Sequence, residues 1–390
     1  MGAWRLYATG AVVIPEAAQC VKCGLCLAEC PTYGLTGNEA LSPRGRIALI
    51  QALEAGRLRP DRHGAEILDS CLLCRRCEAV CPSAVPFGLL MDRGRSMVRG
   101  RLPLGERLLS TLLSRPGLAR RLVGLGKLLP RSFRAGRLAA EASSARRKPR
   151  TLYRPEGGNV MGRVGLFTGC TGSLLDSDAL DAALVLLLQA GFEVAVPAGQ
   201  GCCGALEAHA GNDARARRFM EANRAAFEEA GPLDAIVSIA TGCGAQLHGQ
   251  ASLPAPHQDI CDFLAREDVL ARLHFRPAGM TVAVHLPCSL VNVLKTEQAV
   301  LRLLESVPDL RVREIGRRGA CCGAAGTAAI LRPRVAERLR QPLRAEIEEL
   351  RPELVVSGNP SCRLHLADGD DSGAGYLHPL VLLAQQLVRE

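Results

Sequence analysis

Apolar residues in the second half of the chain recur in two alternating rhythms. Val164–Phe167, Glu193–Val196 and Ala235–Ile239 read as short buried strands, and Val282–His285, Val312–Ile315 and Leu354–Ser357 repeat them in step. Stretches of helical period lie between them, such as Asp178–Gln189 and Arg334–Leu350. Strands alternating with helices predict a parallel α/β sheet in each half. The longest apolar run, Ala182–Leu188, falls well short of the roughly 18 residues that a membrane span needs, so no transmembrane helix is expected. Leu6–Ile14 is mildly apolar behind Arg5, but it is short and runs almost at once into Cys20, so no signal peptide is expected.

The cysteines carry the same repeat. Cys170 recurs at Cys288, Cys202 and Cys203 recur at Cys321 and Cys322, and Cys243 recurs at Cys362, with offsets of 118 or 119 residues. In each half these residues fall after a predicted strand or before a helix. Those loops lie at the carboxyl ends of the strands, where open α/β sheets build their sites. Adjacent cysteines rarely bond to each other, yet adjacent thiolates can both serve one metal group. Gly204 and Gly323, directly after the pairs, allow close approach or positive φ. Core burial is the competing explanation for a cysteine, but four at matching places in two repeats point to a cluster or metal. Iron–sulfur and zinc both remain open there. Cys261 has no counterpart and reads as a core thiol.

The first ninety residues are organised differently. Cys20-x2-Cys23-x2-Cys26-x3-Cys30-Pro31 is followed by Cys71-x2-Cys74-x2-Cys77-x3-Cys81-Pro82. Each run has the bacterial ferredoxin spacing, in which the fourth cysteine serves the other cluster. This assigns Cys20, Cys23, Cys26 and Cys81 to one [4Fe–4S] cluster, and Cys71, Cys74, Cys77 and Cys30 to a second. A pair of zinc sites would need only two C-x-x-C pairs, so two complete runs closed by proline favour cubanes.

Composition sharpens this picture. The chain has 390 residues and 17 cysteines, clustered too tightly for a disulfide framework, which implies a reducing compartment. Net charge is +9, yet residues 93–150 alone hold sixteen Lys and Arg against Glu106 and Glu141. This basic stretch, with leucines such as Leu108, Leu109, Leu112 and Leu113, suits an anionic membrane surface, an acidic partner or a solvated linker. Nucleic acid is a poor candidate, with four tyrosines, one tryptophan and no recognition motif. The expected organisation is an α+β ferredoxin-type module, mostly helical, over 1–92 and a basic helical linker over 93–150. Two tandem α/β cysteine-rich domains follow at 151–275 and 276–390.

Two arginines and two histidines near these motifs are weighed separately. Arg44 and Arg46 could tune a cluster or touch a partner, but pairing with acids on their own helix is the expected role. His285 and His365, three residues from Cys288 and Cys362, are expected to be packed rather than ligating.

Cys30-Pro31-Thr32-Tyr33, Pro43-Arg44-Gly45-Arg46-Ile47, Gly201-Cys202-Cys203-Gly204-Ala205, Thr241-Gly242-Cys243-Gly244-Ala245 and Cys321-Cys322-Gly323-Ala324-Ala325-Gly326-Thr327 together resemble the iron–sulfur subunits of bacterial glycolate oxidase, over nearly the whole chain. The resemblance implies an electron-transfer subunit. It would take single electrons from FAD-binding partner subunits that oxidise glycolate to glyoxylate, and pass them toward a quinone or another membrane acceptor. The chain alone would be inactive on substrate, and a cytoplasmic location is implied, peripheral on the inner face of the membrane if residues 93–150 touch lipid. No Rossmann glycine motif or P-loop stands between a strand and a helix here, and pairing a two-electron flavin with one-electron clusters is a sensible division of labour. The wider superfamily offers alternatives: a heterodisulfide-reductase-like subunit, an iron–sulfur subunit of anaerobic glycerol-3-phosphate or lactate dehydrogenase, or a zinc-bearing assembly module. In the heterodisulfide type a further cysteine stands where this chain has Gln246 and His365, which disfavours disulfide reduction.

Overall fold

The computed structural model describes residues 15–115, 121, 124–125, 151–156, 160–248, 252–317 and 319–388. The stretch Leu6–Ile14 and most of the basic segment beyond 115 lie outside them. The chain divides into two compact units. One is Met1–Ser110 with Leu206–Arg215, and the other is Thr111–Ala205 with Ala216–Glu390.

All the regular structure among the first unit's described residues is helical, so the strand part of the α+β expectation finds no place there. Its helices are set by local signals. Pro31 opens the helix Pro31–Thr36 directly after Cys30. Ser42 caps Pro43–Glu54 by accepting from the Gly45 amide, and Asp61 caps Arg62–Asp69 by accepting from the Gly64 amide. Ile47, Ile50 and Leu53 line one stripe of their helix. They share a core with Ala65, Leu68, Leu90, Met91 and Val98. Gly94 lets the helix Phe87–Val98 approach closely, since a Cβ there would lie 2.7 Å from Ile50. The segment Leu206–Arg215 is tied into this unit by Arg95 and Arg99, which donate to the His209 and Ala210 carbonyls. His209 also meets Asp92 at 3.1 Å.

In the second unit, β1 (Leu152–Tyr153), β2 (Gly162–Phe167), β3 (Phe192–Ala195), β4 (Ala235–Ser238) and β5 (His257–Asp259) form one sheet, in the order β1-β3-β2-β4-β5. β6 (Thr281–His285), β7 (Arg311–Ile315), β8 (Leu354–Val356) and β9 (Gly375–Leu377) form the other, in the order β7-β6-β8-β9. Every pairing is parallel except that of β1 with β3. The six expected strands appear within two residues of their places, and the two sheets repeat one topology. In each, successive crossovers leave the first strand in opposite directions, the arrangement that opens a crevice at the carboxyl ends.

One apolar core runs through both halves of this unit, from Val164 and Leu186 to Val282 and Leu383. Polar contacts also join the halves. Thr241 Oγ1 lies 2.7 Å from Ser289 Oγ, and the Thr241 amide donates to the Gly358 carbonyl. Arg363 grips Asp176 through both guanidinium ends, at 2.7 and 3.1 Å, with both side chains buried. Among the described residues no helix is long and apolar enough to cross a membrane.

Breaking a buried pair by removing one partner strands a charge and costs about 3–5 kcal/mol. Asp176→Ala should therefore lower the denaturation midpoint of the second unit steeply, as read by anaerobic chemical unfolding. A second prediction concerns pH. Burial pushes the Asp259 carboxyl up to about 7 from an ordinary 3.8. Its contribution to stability is then full below pH 3.8 and is lost as pH rises through 7. Asparagine can keep the cap bond that Asp259 accepts from the Cys261 amide. Asp259→Asn should thus leave the urea midpoint unchanged near pH 4 and raise it at pH 8.

Candidate metal centres

The two ferredoxin-type runs wind into matching loops. Lys22 and Gly24 have positive φ in the first, and Leu73 and Arg75 take positive φ at the same two places in the second. Three of these four are not glycine, so the left-handed turns carry strain of the kind that collects at functional sites. Such alternation turns successive amides toward one side and makes a concavity suited to an anion.

Two recesses result. One is lined by Cys20, Cys23, Cys26 and Cys81, with Cys77, Arg44, Ile47 and Phe87 around them. The other is lined by Cys30, Cys71, Cys74 and Cys77, with Thr32, Glu29, Arg46 and Phe87. The structure thus brings together the two groups of thiols that the spacing separates, each group drawing one cysteine from the opposite run. Their surroundings differ. Cys23 is exposed and Cys20, Cys26 and Cys81 are half-buried, whereas Cys30, Cys71, Cys74 and Cys77 are all buried. Burial pushes the Cys77 thiol far up, and the neighbouring Cys74 and Cys71 push the same way. Cys26 is also pushed up by burial.

Arg44 and Arg46 behave differently from each other. Arg44 pairs with Glu39 at 2.6 Å, an acid just ahead of its helix, and donates to the Lys22 carbonyl. Arg46, expected to pair with an acid, does not. It is buried, and its guanidinium bonds Thr32, the Ile67 carbonyl and Ser70. No ion pair among the described residues includes it. The reason is tertiary: its helix turns this side chain inward, away from every local acid. Arg95, also buried, donates to the Leu68, Asp69 and Cys71 carbonyls. Buried cations without carboxylates are costly, and here they flank a cavity lined by four thiols. That donor set fits an anionic thiolate-held cluster.

In the second unit every key cysteine lies beyond the carboxyl end of a parallel strand. Cys170 opens the helix Cys170–Leu175 after β2, Cys202 and Cys203 follow β3, and Cys243 sits on Thr241–Leu247 after β4. The Cys170 and Cys202 sulfurs are 3.5 Å apart, and the Cys203 thiol meets both Cys202 and Cys243. These thiol contacts, with burial behind them, drive Cys170 and Cys203 well above the usual thiol range. The Gly204 amide donates to Cys202 Sγ. Asn223, which sequence reasoning missed, clamps this loop. It donates to the Cys202 carbonyl at 2.9 Å and accepts from the Gly201 amide at 2.8 Å. A buried asparagine on an otherwise regular helix leaves no local signal of that role.

The second repeat matches in outline. Cys288 follows β6, Cys321 and Cys322 follow β7, and Cys362 lies on Pro360–Ala367 after β8. Cys362 hydrogen-bonds the Cys322 thiol, and with burial, Cys288 and Cys321 also acting, its thiol is driven well up. His285 is packed against Ser357 Oγ at 3.0 Å, and His365 Nε2 faces the Ala336 carbonyl at 3.3 Å, in line with their expected packed roles. Cys261 is buried in the core of the first half, as expected. Among the described residues no three His, Cys, Asp or Glu side chains are grouped for a single metal ion. Thiols held this close, all four buried in the first repeat and three of four in the second, ionise together readily only around a cation, so the donor chemistry of both repeats fits a metal group.

A helical module with two four-thiol recesses, followed by two parallel sheets that each present a Cys…Cys-Cys-Gly…Cys site, defines an iron–sulfur protein of the dicluster and cysteine-rich class. The family models agree. A 4Fe-4S dicluster domain matches residues 16–85, and a cysteine-rich domain matches residues 164–248 and again 282–367. The chain is 34% identical to the glycolate oxidase iron-sulfur subunit of Escherichia coli (strain K12), over 95% of this chain and 94% of that one. It is 32% identical to the probable glycolate oxidase iron-sulfur subunit of Bacillus subtilis (strain 168), over 91% and 89%. It is 28% identical to one of the subunits of the CoM/CoB fumarate reductase of Methanothermobacter marburgensis, over 90% of this chain and 67% of that one. The chain belongs to the glycolate oxidase iron–sulfur subunit family.

The glycines of the two Cys-Cys-Gly loops give a graded test. Gly323 has φ +84, and a Cβ there would lie 2.5 Å from the Ala336 carbonyl oxygen; at Gly204 the closest contact, with the Ala216 carbonyl, is 3.0 Å. Gly323→Ala should empty the second site of metal, and Gly204→Ala should affect the first site less, as read by metal content against wild type.

Proposed function

We propose that this chain is the electron-transfer subunit of a flavin-dependent 2-hydroxyacid dehydrogenase, with glycolate as the substrate of the complex. The observation that carries the reading is the pair of cross-run thiol recesses in one small module. It is supported by relatives, covered almost end to end, that are named iron–sulfur subunits of glycolate oxidase.

In this reading Cys20, Cys23, Cys26 and Cys81 hold one [4Fe–4S] cluster, and Cys30, Cys71, Cys74 and Cys77 hold the other. Cys170, Cys202, Cys203 and Cys243, and Cys288, Cys321, Cys322 and Cys362, hold a further iron–sulfur cluster or zinc. The clusters supply one-electron chemistry that side chains lack. The chain's own residues bind them, keep water from the second recess and leave the Cys23 edge of the first open to a partner. FAD-bearing subunits act on the hydroxyacid, a quinone or other membrane acceptor takes the electrons, and the isolated chain has no activity on substrate. The basic stretch 93–150 would dock an acidic partner or the anionic membrane face. Its described helix Leu104–Leu113 exposes Leu104 and Leu108.

The second reading is a disulfide-reducing role of the heterodisulfide-reductase type, which the adjacent cysteine pairs Cys202–Cys203 and Cys321–Cys322 leave open. Gln246 and His365 at the positions of the extra cysteine weigh against it.

Iron and acid-labile sulfide on anaerobically purified protein test the assignment. Two cubanes alone give about eight irons, and occupied cysteine-rich sites raise the count toward twelve or more. Fewer than eight in folded protein, or zinc in place of iron in the first unit, would refute it. Affinity purification from the native cell should bring down a flavoprotein, and turnover of a disulfide by the isolated chain would favour the second reading.

A further inference from the structure

We infer that Arg46 sets the potential of the second recess, so that the redox couple held by Cys30, Cys71, Cys74 and Cys77 is the more positive of the two in the dicluster module. This rests on the proposal that the eight thiols hold clusters. Arg46 is only 1% exposed and lines that recess. Its two terminal nitrogens both donate to Thr32 Oγ1 at 3.2 Å, and Thr32 Oγ1 is itself 3.2 Å from Cys30 Sγ. One oxygen atom therefore separates the guanidinium from a sulfur of the site. Thr32 donates its own proton to the Leu41 carbonyl, which fixes the hydroxyl for this role.

The first recess lacks such a charge. Lys22 and Arg44 line it, but Lys22 is exposed to water, and Arg44, two residues earlier on the same helix, is neutralised by Glu39 at 2.6 Å, with both of those side chains substantially exposed. Water and an adjacent carboxylate both screen its field. At the second recess Arg95 adds a further buried cation with the same sign of effect, donating to the Cys71 carbonyl at 2.6 Å.

Reduction adds one electron to an already anionic thiolate-held group. An uncompensated buried cation beside it favours that step. Dryness alone works the other way, because it penalises the added charge. Glu29, the acid in the lining, is itself paired with Arg76 at 2.5 Å; the same dryness leaves the attraction to Arg46 unscreened, and two cations act on one site, so the attraction prevails.

The test is an EPR-monitored redox titration of the full chain under anaerobic conditions, with iron and sulfide counted on the same samples. Arg46→Met should move the more positive cubane couple to lower potential and leave the other in place. Ser70→Asp would put a carboxylate where Ser70 Oγ now accepts from Arg46 at 2.8 Å, keeping the arginine's packing while cancelling its charge, and should move the same couple the same way. Arg44→Gln should move neither appreciably. Unmoved couples in either Arg46→Met or Ser70→Asp at wild-type iron content would overturn the inference, as would a shift in the lower couple instead. Loss of the cluster from Ser70→Asp would assign Arg46 to holding the site and overturn it too. A wild-type chain with no cubane signal would instead sink the cluster proposal beneath it.

Discussion

Thiols crowded together away from water resist ionising, each because of burial and because of its neighbours. In this protein that resistance is built into the second recess and both cysteine-rich sites. Cys170 and Cys203 are forced upward by contacts with other thiols, and Cys362 by Cys322. Cys77 is forced upward by burial, with Cys74 and Cys71 adding to it. Folding such groups against one another gains little as packing, since each is a small side chain. The arrangement becomes favourable when a cationic metal group ties the sulfurs together as thiolates. Left-handed loop residues, glycines that admit close backbone approach and buried arginines all make sense as accommodations to that one requirement.

The two units meet it by different means. In the helical unit, short loops coil tightly enough that three thiols of one run share a recess with one thiol of the other. In the sheet unit the work is done by topology: parallel strands deliver three separate loops to the same edge, and Asn223 and the Gly204 amide fix the loop that carries two adjacent cysteines. The repeat is close in backbone and looser in side chains. Pro342, on the helix Pro333–Leu350, stands at the position equivalent to Asn223, and His285 at that of Phe167. The two cysteine-rich sites are therefore related in architecture without being chemically equivalent.

Much of this was legible in the sequence because it is local or periodic. Cysteine spacing grouped the thiols, and the repeat located six strands within two residues. β5 and β9 escaped notice because His257–Asp259 and Gly375–Leu377 are three residues long, with too little apolar alternation to stand out. β1 is a two-residue edge held by its pairing with β3. Arg46 departs from the expected acid pairing for a related reason. Its partners, Thr32, Ile67 and Ser70, lie 14 to 24 residues away, and no helix-local rule could name them. Nor does anything local mark Leu206–Arg215 as belonging with the first unit, since the arginines that hold it stand more than a hundred positions earlier.

The most direct measurement is thiol reactivity at Cys23. Its side chain is exposed, so as a free thiol it would be alkylated at once by iodoacetamide. If it is tied to inorganic iron, mass spectrometry should find it unmodified in the anaerobic native protein, together with its seven companions in the first unit, and modified promptly once iron is stripped by a chelator. Immediate labelling of Cys23 in native protein that still carries its full iron would contradict the account.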